Sequence, residues 1–348
     1  MTKIKVAVIG CGSIARKRHL PEYNLNAQVE IVAVCDIVES RAVQMAEDYG
    51  AIAFTDYKEM LELKEVDAVS VCLPNYLHAS VTITALNAQK HVLCEKPMAT
   101  SIEEAEAMNE AAETNQKKLM IAHNQRFVSS HQKAKQLIDC GSLGKVYSFR
   151  TTFGHGGPEN WSIDGSTSWF FNKKEAFVGA MGDLGVHKAD LIRYLLGEVA
   201  EVGAFVETSA KEGTSVDDNA VCILKMTSGI IGTLTASWSY VSGSDNSTVI
   251  YCEKGVLQLE NDPDYSLKVD YKNGESVHHK LDKIQTNEAQ GQTNTHVIDH
   301  FIESIISDQN PLITGLEGLK SLEVILTALE ANERNTISKI GSSTSSVY

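Results

Sequence analysis

A doubly wound parallel α/β sheet, followed by a second α/β unit built on a large, mostly antiparallel open sheet, is the fold class this sequence predicts. Three observations lead there. Up to about residue 125, short β-branched runs without clean polar alternation are separated by helical patterns, the signature of a parallel sheet covered on both faces. After about residue 145 the runs alternate, and Gly, Asn and Asp stand between several of them, which suits antiparallel strands joined by turns. A chain of 348 residues also exceeds what one ordinary core fills. Two domains are therefore expected, 1–125 and 126–348, with the closing helices able to pack back on the first.

Taken in order, the first strand is Lys5 to Ile9, followed by a Gly-rich turn and a helix through Leu20. Ile31 to Cys35, a helix from Ser40 to Tyr49, Ile52 to Phe54 and a short helix around Met60 come next. Val66 to Leu73 and His91 to Cys94 are strands four and five, each followed by a helix. In the second of those helices Ile102, Ala105, Met108 and Ala112 recur at helical spacing, and Thr100 or Ser101 offers an N-cap. Lys118 to Ala122 is strand six. The second unit begins with Val146 to Phe153 and continues with Val199 to Val206, Ala220 to Lys225 and Ile230 to Trp238. Thr248 to Cys252, Val256 to Leu259 and Leu267 to Tyr271 complete its strands, and helices over His296 to Ser307 and Leu316 to Glu333 close the chain. Ser342 to Ser346 reads as a tail.

Composition removes several functional classes. Lys plus Arg number 31 against 45 for Asp plus Glu, a formal charge of −14 that repels phosphate backbones and anionic lipid, so neither nucleic acid nor membrane is an expected partner. No apolar run approaches a membrane span, and the N-terminus runs straight into a strand rather than a signal peptide. Seven cysteines form no C-x-x-C pair, and several lie in apolar runs, which predicts reduced thiols and a cytoplasmic protein.

The first turn reads Gly10-Cys11-Gly12-Ser13-Ile14-Ala15, a G-x-G-x-x-A pattern between a strand and a helix. Gly10 permits the tight turn, Gly12 lets a pyrophosphate approach the backbone, and Ala15 allows close helix–strand packing. The helix N-terminus, with Ser13 and Ile14 in its opening turn, directs free N–H groups at phosphate. Asp36 closes the second strand at about the spacing, ~20 residues on, where a carboxylate reads the adenosine ribose and repels a 2′-phosphate. That favours NAD, with NADP the other option. The plainer role for Asp36 is to cap the next helix. Arg41 complicates the choice, since it can pair with Asp36 or receive a phosphate.

Three further segments bear on chemistry. Leu73-Pro74-Asn75-Tyr76-Leu77-His78 ends strand four and Glu95-Lys96-Pro97 ends strand five, both at the carboxyl edge where open α/β sheets bind ligands. The third, Gly179 to Asp190, carries Asp183 and His187 four apart, on one face of a helix. With these in view, the chain resembles the Gfo/Idh/MocA family of oxidoreductases over nearly its whole length. The Gly-rich turn, Leu73-Pro74-Asn75, Glu95-Lys96-Pro97, Asp183 to Asp190 and the closing Phe301, Pro311 and Thr314-Gly315 carry the resemblance.

The resemblance implies a Rossmann domain, an α/β domain whose open sheet forms homodimers or homotetramers, and dehydrogenation of inositols, sugars or sugar derivatives. It also implies that Lys96 and His187 flank the reacting hydroxyl with Asp183 beside them. Oxidising a secondary alcohol needs a base for the O–H proton, which an imidazole supplies near neutral pH. An ammonium stabilises the developing alkoxide. Asp183 then orients the imidazole or holds a neighbouring substrate hydroxyl, and either Lys96 or His187 relays the proton. One departure is Gly179-Ala180-Met181-Gly182 in place of a Gly triplet, where Ala180 and Met181 are expected to narrow the substrate's approach.

Leu73, Asn75, His78 and Glu95 are expected beside the nicotinamide, although His78 is as readily the start of a helix with no ligand. Arg126 either touches substrate or cofactor or forms an ion pair at the domain hinge. His155, Trp161 and Trp169 lie in a segment rich in sugar-binding groups, though aromatics also simply cover a sheet. His296 and His300 stand four apart without the neighbouring Glu of a zinc helix, and no metal is expected. Two other functions fit the same fold: a dinucleotide-sensing regulator without turnover, and a redox-neutral glycoside-processing enzyme with tightly held NAD.

Overall fold

The computed structural model describes residues 3–281 and 294–341. The Ser-rich tail proposed for Ser342 to Ser346 lies outside the described residues. The first sheet has six parallel strands: β1 (Ile4–Ile9), β2 (Val29–Cys35), β3 (Ile52–Phe54), β4 (Ala68–Val71), β5 (His91–Cys94) and β6 (Leu119–Ile121). Their spatial order is β3-β2-β1-β4-β5-β6. The direction of winding reverses between β1 and β4, and at that point a crevice opens beyond the carboxyl ends of the strands. Val6 to Ile9 and Ala68 to Val71 are buried, because helices cover both faces.

Those helices are α1 (Leu20–Leu25), α2 (Glu39–Tyr49), α3 (Tyr57–Leu61), α4 (Asn75–Asn87) and α5 (Ile102–Asn115). A π-helical turn, Ala15–His19, leads into α1. At the start of α5, the Ser101 hydroxyl accepts from Glu104 N at 3.2 Å. The Glu104 carboxylate reaches back to Thr100 N at 2.9 Å, so both N-cap candidates take part in one capping arrangement. After β6 the chain makes a short turn over Asn124–Phe127 and enters α6 (Ser129–Asp139), where the sequence reading places no helix. Only Ser130, His131 and Ala134 of α6 are buried, and two of these three are polar, so few apolar residues mark the helix in the sequence.

The second sheet has nine strands, in the order β14-β13-β12-β11-β7-β10-β9-β8-β15. They are β7 (Val146–Gly154), β8 (Val199–Glu207), β9 (Asn219–Met226), β10 (Ile231–Ser237), β11 (Thr248–Cys252), β12 (Gly255–Leu259), β13 (Leu267–Tyr271), β14 (Ser276–His279) and β15 (Ser338–Lys339). All pairings are antiparallel except β7 with β10, because β7 arrives from the first sheet and inserts between two later strands. A four-residue α7 (Lys173–Ala176), α8 (Val186–Leu196), α9 (Val297–Ile306) and α10 (Gly315–Arg334) complete the chain.

Burial alternates along β9: Ala220, Cys222, Leu224 and Met226 face the core, whereas Val221 and Ile223 face outward. Phe205, Ile223 and Ile231 are 75%, 64% and 55% exposed, so the outer face carries a patch of large apolar side chains. The closing helices return to the first sheet. Val297, Ile298, Phe301 and Ile302 join its core, and Ile121 N donates to Ile313 O beside β6. Helix α10 spans both cores, with Leu322 in the first and Val324, Ile325 and Ala328 in the second.

Candidate active site

A cavity of about 760 Å³ runs along the crevice between the two sheets, within the usual range for small-molecule sites. The Gly-rich turn forms one end. Gly10 has φ +95°, and a Cβ there would lie 2.2 Å from Cys72 O, so only glycine fits between β1 and β4. Gly12 differs, since a Cβ there meets nothing within 4 Å. Its open side faces the cavity, together with Ser13 and Ile14, and Ala15 is fully buried against the sheet. Backbone open to a ligand at a helix start suits a pyrophosphate. Gly12→Val is therefore expected to leave thermal stability near that of the wild type while weakening NAD affinity by about tenfold or more, measured by calorimetry. Unaltered affinity would remove Gly12 from the cofactor site.

Asp36 directly follows β2, with Oδ2 accepting from Cys11 N and Oδ1 from Val38 N, each at 2.8 Å. The carboxylate is thereby fixed at the rim of the Gly-rich turn with lone pairs left for hydroxyl donors. Arg41 pairs with Asp164 rather than with Asp36. Its Nη2 lies 2.5 Å from Asp164 Oδ1, on a loop of the second unit. That loop also grips the Gly-rich turn: Ile163 N donates to Ser13 Oγ at 2.8 Å, and Ser13 Oγ donates to Trp161 O at 3.2 Å.

At the other end, Lys96 Nζ donates to Asp183 O at 2.8 Å and to Asp183 Oδ1 at 3.0 Å. Strand β5 and the second unit thus meet at one ion pair. Two of the three ammonium N–H groups are taken by Asp183, and one remains for a ligand. Lys96 therefore takes Asp183 as its partner, rather than the adjacent Glu95. Glu95 instead accepts from Lys96 N at 3.1 Å and lies 2.9 Å from His19 Nε2. His19 Nδ1 is 2.9 Å from Ser70 Oγ. Burial alone raises the Glu95 carboxyl, but His19 and Lys96 outweigh it and hold the group below its ordinary value.

Asp183 lies in a second π-helical turn, Met181–Gly185, and His187 in the first turn of α8 that follows. Such turns recur at functional sites because they displace side chains from regular helical register. Asp183 Oδ2 accepts from Trp238 Nε1 at 3.2 Å, and His155 Nε2 stands 3.9 Å away. Asp183 thus anchors the ammonium, where the sequence suggested an imidazole-orienting or substrate-holding role. His187 lines the cavity, and its Nδ1 is buried without a hydrogen-bond partner among the described residues. Burial, then the charge of Lys96 and repulsion from His123 and Lys188 whenever these are protonated, drive its pKa well below 6.5. It is neutral at physiological pH, the form that accepts a proton.

Two residues hold this segment in place that the sequence reading does not single out. Asp217 Oδ1 and Oδ2 accept from Gly179 N at 2.7 Å and Met181 N at 2.8 Å, and Asp217 O accepts from Ala180 N at 2.9 Å. A Cβ on Gly179 would come within 1.9 Å of that same Asp217 carbonyl. Ala180 and Met181 are fully buried in the second core and do not line the cavity, contrary to the expected narrowing. The other residue is Trp238, fully buried beneath Asp183. Ile37, Thr55 and Phe170 line the cavity as well, again without a motif to mark them.

The remaining candidates divide. Leu73, Asn75, His78 and Glu95 all line the cavity. The His78 nitrogens face Pro97 O at 2.7 Å and Leu73 O at 2.8 Å, so the ring ties together the loops after β4 and β5. Asn75 Nδ2 donates to Ala176 O at 2.8 Å, a bridge to the second unit. His155, Trp161 and Trp169 line the cavity too, with Trp169 stacked on Phe170 at 3.8 Å between ring centroids. Arg126 is not brought to the cavity. Its guanidinium is buried against Asp190 at 2.7 and 2.8 Å and Glu317 at 2.7 Å, a three-way ion pair joining the turn after β6 to α8 and α10. Of the two alternatives for Arg126 it is the ion pair that the structure contains, and the substrate assignment is corrected because the side chain is buried outside the cavity lining. His300 Nε2 accepts from Leu312 N at 2.8 Å, and His296 stands 3.9 Å from Asp299.

The geometry agrees with what comparison with known proteins finds. Residues 4–123 match the Gfo/Idh/MocA oxidoreductase family, NAD-binding Rossmann fold, and residues 131–258 match the Gfo/Idh/MocA C-terminal domain. The chain is 32% identical to levoglucosan dehydrogenase of Pseudarthrobacter phenanthrenivorans over 53% of its own length, and that alignment spans only 52% of the relative. It is 26% identical to myo-inositol 2-dehydrogenase of Thermotoga maritima over 92% of this chain and 93% of the relative. The crystal structure of an aldose–aldose oxidoreductase from Caulobacter crescentus superposes with TM-score 0.84 at 25% identity, covering 97% of this chain and 99% of that one. Both halves of the molecule, one on each side of the cavity, thus match the same family, and this chain belongs to the Gfo/Idh/MocA oxidoreductases.

Proposed function

We propose that this chain is an NAD-dependent dehydrogenase that moves a hydride between the nicotinamide and a secondary alcohol or ketone carbon of a sugar, inositol or sugar derivative. The observation that carries the reading is one continuous cavity with Asp36 at one end and Lys96, Asp183 and His187 at the other. When bound, NAD supplies the hydride acceptor; the open backbone at Gly12 and the fixed carboxylate of Asp36 fit its pyrophosphate and adenosine ribose. Asp36 accepts the ribose hydroxyls. Lys96, held by Asp183, turns its remaining N–H toward the substrate oxygen and stabilises negative charge there. His187, neutral and partly enclosed, accepts the hydroxyl proton as the C–H bond breaks and returns it in the opposite direction. The names of the relatives, a levoglucosan dehydrogenase and a myo-inositol 2-dehydrogenase, support a polyhydroxylated substrate. So do the aromatic rings of Trp161, Trp169 and Phe170 along the cavity, whose faces suit sugar C–H groups.

The test is a panel of inositols, hexoses, anhydro-sugars and keto-sugars with NAD and NADP, followed by absorbance of the reduced cofactor. Reduction of NAD by at least one polyol is expected. Binding of NAD without turnover on any of them would favour a sensor and overturn this reading. A redox-neutral enzyme is the second reading, favoured by the loop that spans from the second unit to Ser13 and Arg41 across the cofactor end. Hydride exchange between two sugars, catalysed by the protein as purified and without added NAD, would distinguish it.

We further infer a homo-oligomer, dimer or tetramer, formed through the outer face of the second sheet, because Phe205, Val221, Ile223 and Ile231 expose apolar surface there. A sedimentation mass of one chain would refute it. The seven unpaired cysteines support a reducing, cytoplasmic location, which cell fractionation checks. Among the described residues, no helix is long and apolar enough to cross a membrane.

A further inference from the structure

The cofactor end of the cavity contains a cation whose partner comes from the other half of the molecule. Arg18, Arg41 and Lys96 are the arginine and lysine side chains lining the cavity. Lys96 is held by Asp183. Arg18 is buried, within the field of Glu22 and Glu95. Arg41 is therefore the cation left at the adenosine end, on the first turn of α2, and both it and Asp36 act on the Cys11 thiol. A guanidinium in that position is the natural receptor for a ribose 2′-phosphate. Here it is bound to Asp164 instead.

We propose that Asp164 is a second determinant of the choice of NAD over NADP, acting by occupying Arg41. The proposal rests on the reading of Asp36 as the ribose carboxylate. Asp164 is held where it can do this. Its N–H points to Ser162 Oγ at 3.4 Å, and its carbonyl accepts from Thr167 Oγ1 at 2.7 Å. The next residue towards the N-terminus, Ile163, is fastened to Ser13 on the Gly-rich turn. A 2′-phosphate entering this end meets two carboxylates, Asp36 and Asp164, and an arginine already neutralised. A 2′-hydroxyl meets the same groups at no charge cost. Cofactor preference is thereby coupled to the position of a loop that belongs to the substrate half, whose Trp161 and Trp169 flank the same segment.

The experiment uses the full-length protein and four variants: Asp164→Asn, Arg41→Ala, the double variant Asp164→Asn/Arg41→Ala, and Asp36→Ala. Calorimetric affinities for 5′-AMP and 2′,5′-ADP give a readout independent of turnover, and kcat/KM with NAD and NADP gives a second. Asp164→Asn is expected to raise the affinity for 2′,5′-ADP relative to 5′-AMP by about 2- to 5-fold, the scale of a partly exposed ion pair. The double variant should lose that gain, because the gain requires a free Arg41. Asp36→Ala should shift the ratio in the same direction by an independent route. An unchanged ratio in Asp164→Asn alongside a shifted ratio in Asp36→Ala would overturn the proposal and leave the ribose reading standing. A gain that persists in the double variant overturns it too, since Asp164 would then act without Arg41. No shift in either single aspartate variant would remove both the proposal and the ribose reading beneath it.

Discussion

Lys96→Met is expected to lower turnover by about two to four orders of magnitude while the affinity for NAD stays close to that of the wild type. His187→Ala should do the same by removing the proton acceptor. The Lys96 variant also leaves the Asp183 carboxylate, itself almost fully buried, with Trp238 as its remaining close donor. Breaking a buried ion pair from one side costs about 3–5 kcal/mol, so Lys96→Met should melt well below the wild type. Lys96→Met/Asp183→Asn is charge-neutral at the site and should recover most of that stability without recovering turnover. Steady-state kinetics beside a thermal melt thus separate the two roles of one lysine. Wild-type turnover in both Lys96→Met and His187→Ala would dispose of the mechanism, whatever the melts showed.

Acidification should weaken the fold from within its core. His123 and His131 are buried and lowered by burial from 6.5 to about 4 and about 3. The unfolded chain binds protons at these positions below about 6.5, whereas the folded one does not. Their contribution is therefore fully present above that pH and is lost as pH falls towards the folded values. At about pH 5 each site costs on the order of 2 kcal/mol relative to neutral pH. Asp217 works against this. Its carboxyl is pushed up by burial from 3.8 to about 6, so the folded state takes up a proton first and gains on the order of 1 kcal/mol at the same pH. The two histidines outweigh the one aspartate. Urea unfolding should show a lower midpoint at about pH 5 than at about pH 7. His131→Asn, which keeps a donor for Gln125 O in place of Nδ1, should flatten that dependence by close to one proton. A wild-type midpoint constant over the interval would contradict the argument.

Much of the framework is legible along the chain. Strand β1, the Gly-rich turn and Asp36 follow one another with spacings that the chemistry of a dinucleotide dictates, and β3, β5, β11 and β13 begin and end where the apolar pattern does. Helix α10 reads equally well because its Leu, Val and Ile residues recur at helical spacing over its length and supply both cores. By contrast, α6 is polar around most of its circumference, and the two-residue β15 exists only because β8 offers it an edge. The insertion of β7 beside β10 is likewise invisible in local pattern, since the pairing joins segments far apart in sequence.

The candidate site divides in the same way. Lys96, Asp183 and His187 are identifiable from residue type and neighbours, but their partners are not. That Lys96 binds Asp183 rather than Glu95, that Arg126 is spent on Asp190 and Glu317, and that Arg41 answers to Asp164 all depend on side chains meeting across the crevice.

Unaided, the order of residues along the chain determined the class of sheet and the Gly-rich turn, because periodicity and motif spacing are local properties of a backbone, and family resemblance marked three candidate reacting groups. Only the tertiary structure decided which charges pair, which histidines are kept neutral, and that Asp217 and Trp238 fix the π-helical turn carrying Asp183. Electrostatic energy depends on distance and burial, and both are set when the two sheets close on one another.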